Sequence, residues 1–349
     1  MQTLGLILLH FGALYGIYSA VKSGKWQTIV FGYILGVFSA IGTLMGAHRY
    51  YTHRSFKAKW PLRLILCVMQ TLTGQKSIVN WVREHRTHHQ FTGTDADCVN
   101  IERGFFFAHM GWLMTETHPE CERRMKECNV DDLRTDPMIG FQYTHYCTLY
   151  ALINVIIPTI LPYYLWGETI ENGFFGAFML RYVYTLHVSF CGNSVVHMWG
   201  TKPYDKTISA TRNESIIFAT LGGAYHNYHH VFPFDYSASE FGFESNFNFM
   251  TAVIDLCATI GWAYDLKRAP IDMVLKRKQR TGDHSDLEDN SRPNPLLHWI
   301  YGLILSASTN EIMSSDDTSS DPDYNSVYRA GVGQSGRPLG PQGIGRGLF

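Results

Sequence analysis

Residues 28 to 47 run for twenty positions without a charge, and residues 4 to 21 before them are almost as uniformly apolar. About 20 apolar residues suffice to cross a bilayer as a helix. In lipid the backbone can satisfy its own polar groups only as a helix or a closed barrel. Lys22, Ser23, Gly24 and Lys25 separate the two runs, so the pattern predicts a membrane hairpin. The first run lacks the basic lead and small-residue cleavage site of a secretory signal. A mean hydropathy of −0.09 hides these runs because the apolar residues are bunched.

Residues 146 to 166 predict a third span, whose Pro158 and Pro162 neighbouring helices can tolerate, and residues 173 to 197 a fourth. Arg181, inside the fourth, has to face protein, a headgroup or a partner. Thirteen Lys or Arg lie between His48 and His145, and none lies in the loop 167–172. The excess of basic residues on cytoplasmic loops then places the first segment in the cytosol, Glu168 in the lumen and both termini in the cytosol. The sequon Asn213-Glu214-Ser215 would be silent there. The predicted fold is an all-α membrane protein with four transmembrane helices and a cytosolic helical cap, made of residues 48–145 and 198–280, that holds a histidine-rich site. Residues 116–136 read as a solvated helix or loop, 247–265 as a cap helix and 267–280 as a basic helix near anionic headgroups. A polar tail, 281–349, reads as disordered.

Histidines carry the chemistry. His85, His88 and His89 stand at i, i+3 and i+4, so a helix puts all three on one face. His226, His229 and His230 repeat that spacing, His48 and His53 lie upstream, and His197 closes the fourth apolar run one turn after Asn193. Nine of sixteen histidines are thereby gathered into boxes. One tetrahedral zinc uses four ligands, so two metals sharing the nine fit better. Carboxylate-bridged di-iron bundles use Glu-x-x-His, and the three clusters contain no such pair, which leaves a nitrogen-rich site with iron as the expected metal for redox work. A regulatory zinc site is the rival. Seven cysteines without a C-x-x-C pair predict free thiols. A formal net charge of −1 with no basic domain argues against a nucleic-acid partner.

These boxes, with Gly46-Ala47-His48-Arg49, Arg103-Gly104-Phe105-Phe106-Phe107, Pro203-Tyr204-Asp205-Lys206 and Pro233-Phe234-Asp235-Tyr236-Ser237-Ala238-Ser239-Glu240, resemble the membrane acyl-CoA desaturases of animals, the stearoyl-CoA delta-9 and insect types included. The likeness runs from about Leu4 to about Lys278, within a domain 1–280. It implies that His48, His53, His85, His88, His89, His197, His226, His229 and His230 hold two Fe2+ ions, with Asn193 reaching the second through a water. It implies a fatty acyl-CoA substrate, O2, electrons from cytochrome b5 and its NADH-dependent reductase, and a place in the endoplasmic reticulum membrane. The product would carry a cis double bond, delta-9 by expectation. Trp81, Gln75, Ser189 and Phe190 would line the acyl channel, Arg83 and Glu84 would lie near the CoA end, and Gly36 and Ala40 would leave room at the closed end for a chain of 16 or more carbons. A hydroxylase on the same scaffold and an inactive membrane scaffold are the alternatives.

Several positions depart from the family pattern. Gly223 stands where an acidic residue is common, Ala224 where Gly is, Glu84 where Asp is, and Ser189-Phe190 in place of Thr-Trp. The chain also begins almost at its first span, without the family's cytosolic lead-in.

Overall fold

The computed structural model describes residues 2–243 and 247–285. The predicted tail therefore lies, from residue 286 on, outside the described residues. Among those described the regular structure is helical but for isolated antiparallel bridges from Arg212 to Thr201 and Tyr225 and one two-stranded pair, in which β1 (Lys57–Ala58) and β2 (Ala263–Tyr264) run antiparallel with Lys57 opposite Tyr264.

Three helices are long and apolar enough to cross a membrane: α1 (Thr3–Ser23), α2 (Trp26–Thr52) and, later in the chain, Tyr146–Trp166. The predicted fourth span is helical over 173–191, then breaks at 192–194 before the short helix Val195–Met198. Both α1 and α2 pack along 173–191 rather than along each other. Arg181 is 4 % exposed, and its guanidinium donates to Ser39 Oγ at 3.3 Å, to Leu72 O at 3.2 Å and to the carbonyl and side chain of Asn154. The cation inside this apolar run therefore faces protein, as expected.

The lower half of α2 is not an ordinary α-helix. Gly42–Thr52 is wound with the wider π repeat, which recurs at functional sites, and the His53 N–H bonds the His48 carbonyl five residues back at 3.1 Å. On an α-helix positions i and i+5 diverge. Here they meet edge to face, with ring centroids 4.8 Å apart.

Helix α3 (Trp60–Leu72) leads to α4 (Ile78–Phe91), which Ser77 caps by accepting from the Asn80 N–H. Arg86 on α4 is 1 % exposed. It forks onto Asp132 with two contacts of 2.9 Å and also holds the carbonyls of Tyr51 and Asn129. The segment 116–136, expected to be solvated, thus divides. Helix α5 (Pro119–Glu127) carries exposed ion pairs, while Asp132 and Asp136 anchor Arg86 and Arg63.

The expectation of free thiols is corrected at one place: Cys98 and Cys121 form a disulfide, with Cα atoms 5.6 Å apart. The turn after α4 lays Cys98 against α5, a meeting of residues 23 apart that spacing alone could not announce. Five other cysteines are free. An apolar cluster of Met45, Phe56, Leu62, Leu66, Met250 and Ile254 joins α2 and α3 to α6 (Phe249–Thr259). Asp255, in the middle of that apolar helix, accepts from Tyr236 Oη at 2.9 Å. Residues 281–283 fold back on 202–204, with Thr281 Oγ1 donating to the Tyr204 carbonyl at 2.6 Å.

Candidate metal centre

The nine boxed histidines converge as two groups. His48, His53, His85, His89 and His229 offer ligand atoms within 4.8 Å of one another, and His88, His197, His226 and His230 do the same. Each H-x-x-H-H box is therefore split. From α4 the i and i+4 rings enter the first group and the middle ring the second; from His226–Val231 the i and i+4 rings enter the second and the middle ring the first. The two boxes face each other with reciprocal roles, and His89 and His230 stack between the groups with centroids 4.1 Å apart.

Within the first group the Nε2 atoms of His48 and His229 are 2.9 Å apart, those of His229 and His89 3.0 Å, and those of His89 and His85 3.2 Å. In the second, His226 Nε2 lies 3.0 Å from Nε2 of both His197 and His230. Nitrogens crowded in this way, with no protein carboxylate in either group, suit cations bound at about 2.0–2.1 Å per imidazole nitrogen. Nδ1 of His48 and of His229 are buried without a hydrogen-bond partner, an exception to the rule that buried polar atoms are satisfied. Burial, with the neighbouring rings adding to it, holds His53, His85, His89, His229 and His230 well below the usual 6.5 and His226 at about 3. They are neutral at pH 7, the form that coordinates metal. The donor set fits two cations.

Two residues outside the motifs complete the centre. Asp97 Oδ1 lies 3.0 Å from His88 Nδ1, and its carboxylate is itself held by the N–H groups of Val99 and Gly93. Ser209 Oγ is 2.9 Å from His197 Nδ1. Such partners fix which ring nitrogen faces the metal. Sequence reading missed both, although Asp97 stands eight residues after a box histidine in an Asp-Ala-Asp run, a visible signal. His10, His109 and His187 also form a chain outside both groups, with contacts of 3.1 and 2.9 Å, ending on Ser194. No spacing pattern linked them.

A cavity of about 750 Å3 opens from the histidines into the helices. Its lining includes Gln75, Trp81, Glu84, Ser189, Phe190 and Asn193, and deeper in Gly36 and Ala40. Trp81 stacks on His85 at 4.8 Å, and Ser189 Oγ donates to Gln75 Oε1 at 2.9 Å. Glu84 pairs with Lys76, whose ammonium sits 4.8 Å over the Trp112 ring. Arg83 is not part of this lining. Gly223 lines the cavity and Ala224 is fully buried.

Apolar membrane helices, two neutral histidine groups and an apolar cavity ending on them define a membrane protein built for metal-dependent chemistry on a lipid chain. The description matched by its sequence is narrower. Residues 24–239 fit the fatty acid desaturase family. The chain is 46 % identical over 284 residues to an acyl-CoA Delta12-desaturase of Acheta domesticus, covering 81 % of this chain and 79 % of that one. It is 47 % identical over 279 residues to an acyl-CoA Delta-9 desaturase of the same cricket, covering 80 % and 77 %. With human stearoyl-CoA desaturase 5 it shares 44 % over 278 residues, 80 % and 83 %. The chain belongs to the fatty acid desaturase family and is an oxidoreductase of that type.

Proposed function

We propose that this chain inserts one cis double bond, at delta-9, into a long-chain saturated fatty acyl-CoA. The observation that carries the reading is the position of the two histidine groups at the end of the apolar cavity. The reaction joins RCH2–CH2R, O2, two electrons and two protons to give RCH=CHR and two waters. Two iron ions held by the nine histidines, with Asn193 completing the second set through water, would supply what no side chain has: an oxidant able to take hydrogen from an unactivated methylene. Relatives named for delta-9 and Delta12 activity stand at nearly equal identity, so regiochemistry lies in the channel rather than in the boxes.

The protein's own work is placement. A methylene chain has no chemical landmark, so the bond that reacts is selected by depth. Trp81, held against His85, shapes the wall beside the metals, and the Gln75–Ser189 hydrogen bond fixes the cavity where the turn before α4 meets the helix over 173–191. Arg83 and Glu84 lie toward the CoA end. Gly36 and Ala40 leave the deep part open to a chain of 16 or more carbons. Electrons come from cytochrome b5, reduced by its NADH-dependent reductase, across the cytosolic face of the endoplasmic reticulum membrane, where steering by charge is salt-dependent. Four spans, 4–21, 28–47, 146–166 and 173–197, keep both termini in the cytosol.

Expression in a desaturase-deficient yeast, beside His88→Ala, tests the reading. Monounsaturated acids absent from the variant are expected, and their double-bond positions give the regiochemistry. Hydroxylated acids instead would assign the scaffold to hydroxylation. Gly36→Trp should shift products toward shorter chains, and an unchanged chain-length profile would remove Gly36 from the channel.

A further inference from the structure

The turn after α4 carries the carboxylate that orients a metal ligand, and a reducible bond stands next to it in the chain. Asp97 holds His88 Nδ1 at 3.0 Å, and its other hydrogen bonds stay within its own turn. The Val99 N–H at 3.0 Å and the Gly93 N–H at 3.2 Å reach the carboxylate, the Asp97 N–H donates to the Thr94 carbonyl at 3.0 Å, and the Asn100 N–H donates to the Asp97 carbonyl at 3.3 Å. Those bonds shape the turn. What ties it covalently to another element is the next residue, Cys98, joined to Cys121 of α5.

Helix α5 relies on the same bond. Cys121 is its one buried residue and is fully enclosed. The ion pairs of Glu120, Glu122, Arg123, Arg124, Lys126 and Glu127 all run along the helix's own surface and hold it to nothing else. Arg124 also lies 4.7 Å over the ring of Phe91, the last residue of α4. While Cys121 is enclosed, Cys98 is half-buried and lines the cavity, so one sulfur of the bond is open to attack. The four-span topology proposed above puts this turn in the cytosol, where the thiol pool keeps most cysteines reduced and a disulfide is transient or redox-sensing.

We propose that Cys98 and Cys121 form a thiol-exchange site, through which a glutathione-type thiol pool sets how firmly His88 holds its metal. A thiolate attacks Cys98 Sγ, the Cys98–Cys121 bond breaks, and Cys121 leaves with the electron pair and takes the proton that the incoming thiol gave up. A second thiol attacks the mixed disulfide and releases Cys98, again with a proton. Two small thiols become one disulfide and the protein disulfide becomes two thiols; an oxidised pool runs the exchange backwards. In the oxidised form the bond pins the Asp97 turn to α5 and so fixes His88. In the reduced form the turn and α5 separate, and Asp97 loses its fixed place. The inference rests on the iron centre and topology of the desaturase reading, not on the reaction, and its test therefore reads metal.

The full chain, purified in detergent and loaded with Fe2+, would be equilibrated without oxygen in buffers of stepped reduced-to-oxidised glutathione ratio. Alkylation with mass spectrometry scores the two cysteines as thiol or disulfide, and dialysis against a chelator scores retained iron. Cys98 and Cys121 should titrate together, and the reduced form should retain iron about threefold less firmly or worse, a step toward the roughly 10–100-fold loss that follows removal of a ligand's outer partner. Reoxidation with fresh Fe2+ should restore retention. Asp97→Asn separates this role from general loosening: its retention should not respond to the glutathione ratio, whereas a disulfide that only braces the fold would add its own loss to the variant's. Cys98→Ser should show the reduced parent's retention at every ratio; should it not fold, the parent and Asp97→Asn decide. A pair that glutathione does not reduce, equal retention in both forms of the parent, or a further fall in Asp97→Asn overturns the exchange site and leaves the desaturase reading standing. A parent that holds no iron in its oxidised form overturns both.

Discussion

At the scale of single residues the centre depends on groups that hold the ligands as much as on the ligands. His88 belongs to the second group by geometry, and Asp97, 3.0 Å from its Nδ1, leaves Nε2 as the nitrogen free to coordinate. Asp97→Asn keeps the size and loses the charge. It should weaken metal retention by about 10–100-fold, read as iron remaining after dialysis against a chelator; retention equal to the parent would show that His88 is oriented by something else. His229→Ala and His230→Ala, adjacent in sequence, act on different groups. Each should therefore reduce bound iron without the other's loss adding at the same ion, and the double variant should hold less than either.

At the scale of elements, α4 is the part that cannot shift without moving three ligands. Arg86 locks it to Asp132 with a two-pronged pair and to the carbonyl of Tyr51, so the helix is tied both to the segment after α5 and to the end of α2. Removing one partner of a buried pair leaves an uncompensated charge at a cost of about 3–5 kcal/mol. Asp132→Ala should accordingly lower the midpoint of thermal unfolding in detergent, and with it the iron content, whereas a fall in iron at an unchanged midpoint would mean that the pair serves the site and not the fold. The same scale explains what the His48-x4-His53 spacing did not reveal. An α-helix would have turned those two rings apart; the π winding of Gly42–Thr52 brings them to one side. That winding is a property of how α2 packs on α3 and α4, since nothing in residues 42 to 52 alone excludes an ordinary helix.

At the scale of the whole molecule, the membrane sets the frame. Three helices qualify as spans by length and apolarity, and the helix over 173–191 runs alongside two of them with Arg181 bonded inside. The proposed four-span topology would put Asn213 on the cytosolic side and Glu168 on the luminal side. An endoglycosidase should then leave the mobility of the native chain unchanged, while a sequon placed in the loop 167–172 should become glycosylated; the reverse pattern would invert the topology. The cap is fastened from both ends, by the antiparallel pair of β1 with β2 and by the apolar cluster between α2, α3 and α6.

What the sequence determined by itself follows from local periodicity. Uncharged runs of span length, the i, i+3, i+4 spacing of His85–His88–His89 and His226–His229–His230, and the small residues at Gly36 and Ala40 are visible because each depends only on neighbours one or two turns away. The sorting of the nine histidines into five and four, the disulfide between Cys98 and Cys121, the carboxylate of Asp97 against His88, and the partners of Arg181 were decided by the tertiary structure. Each of these joins residues through packing of separate elements, and no repeat along a chain records which faces meet. The cavity belongs with them, because its lining draws together residues of α2, α4 and the helix over 173–191.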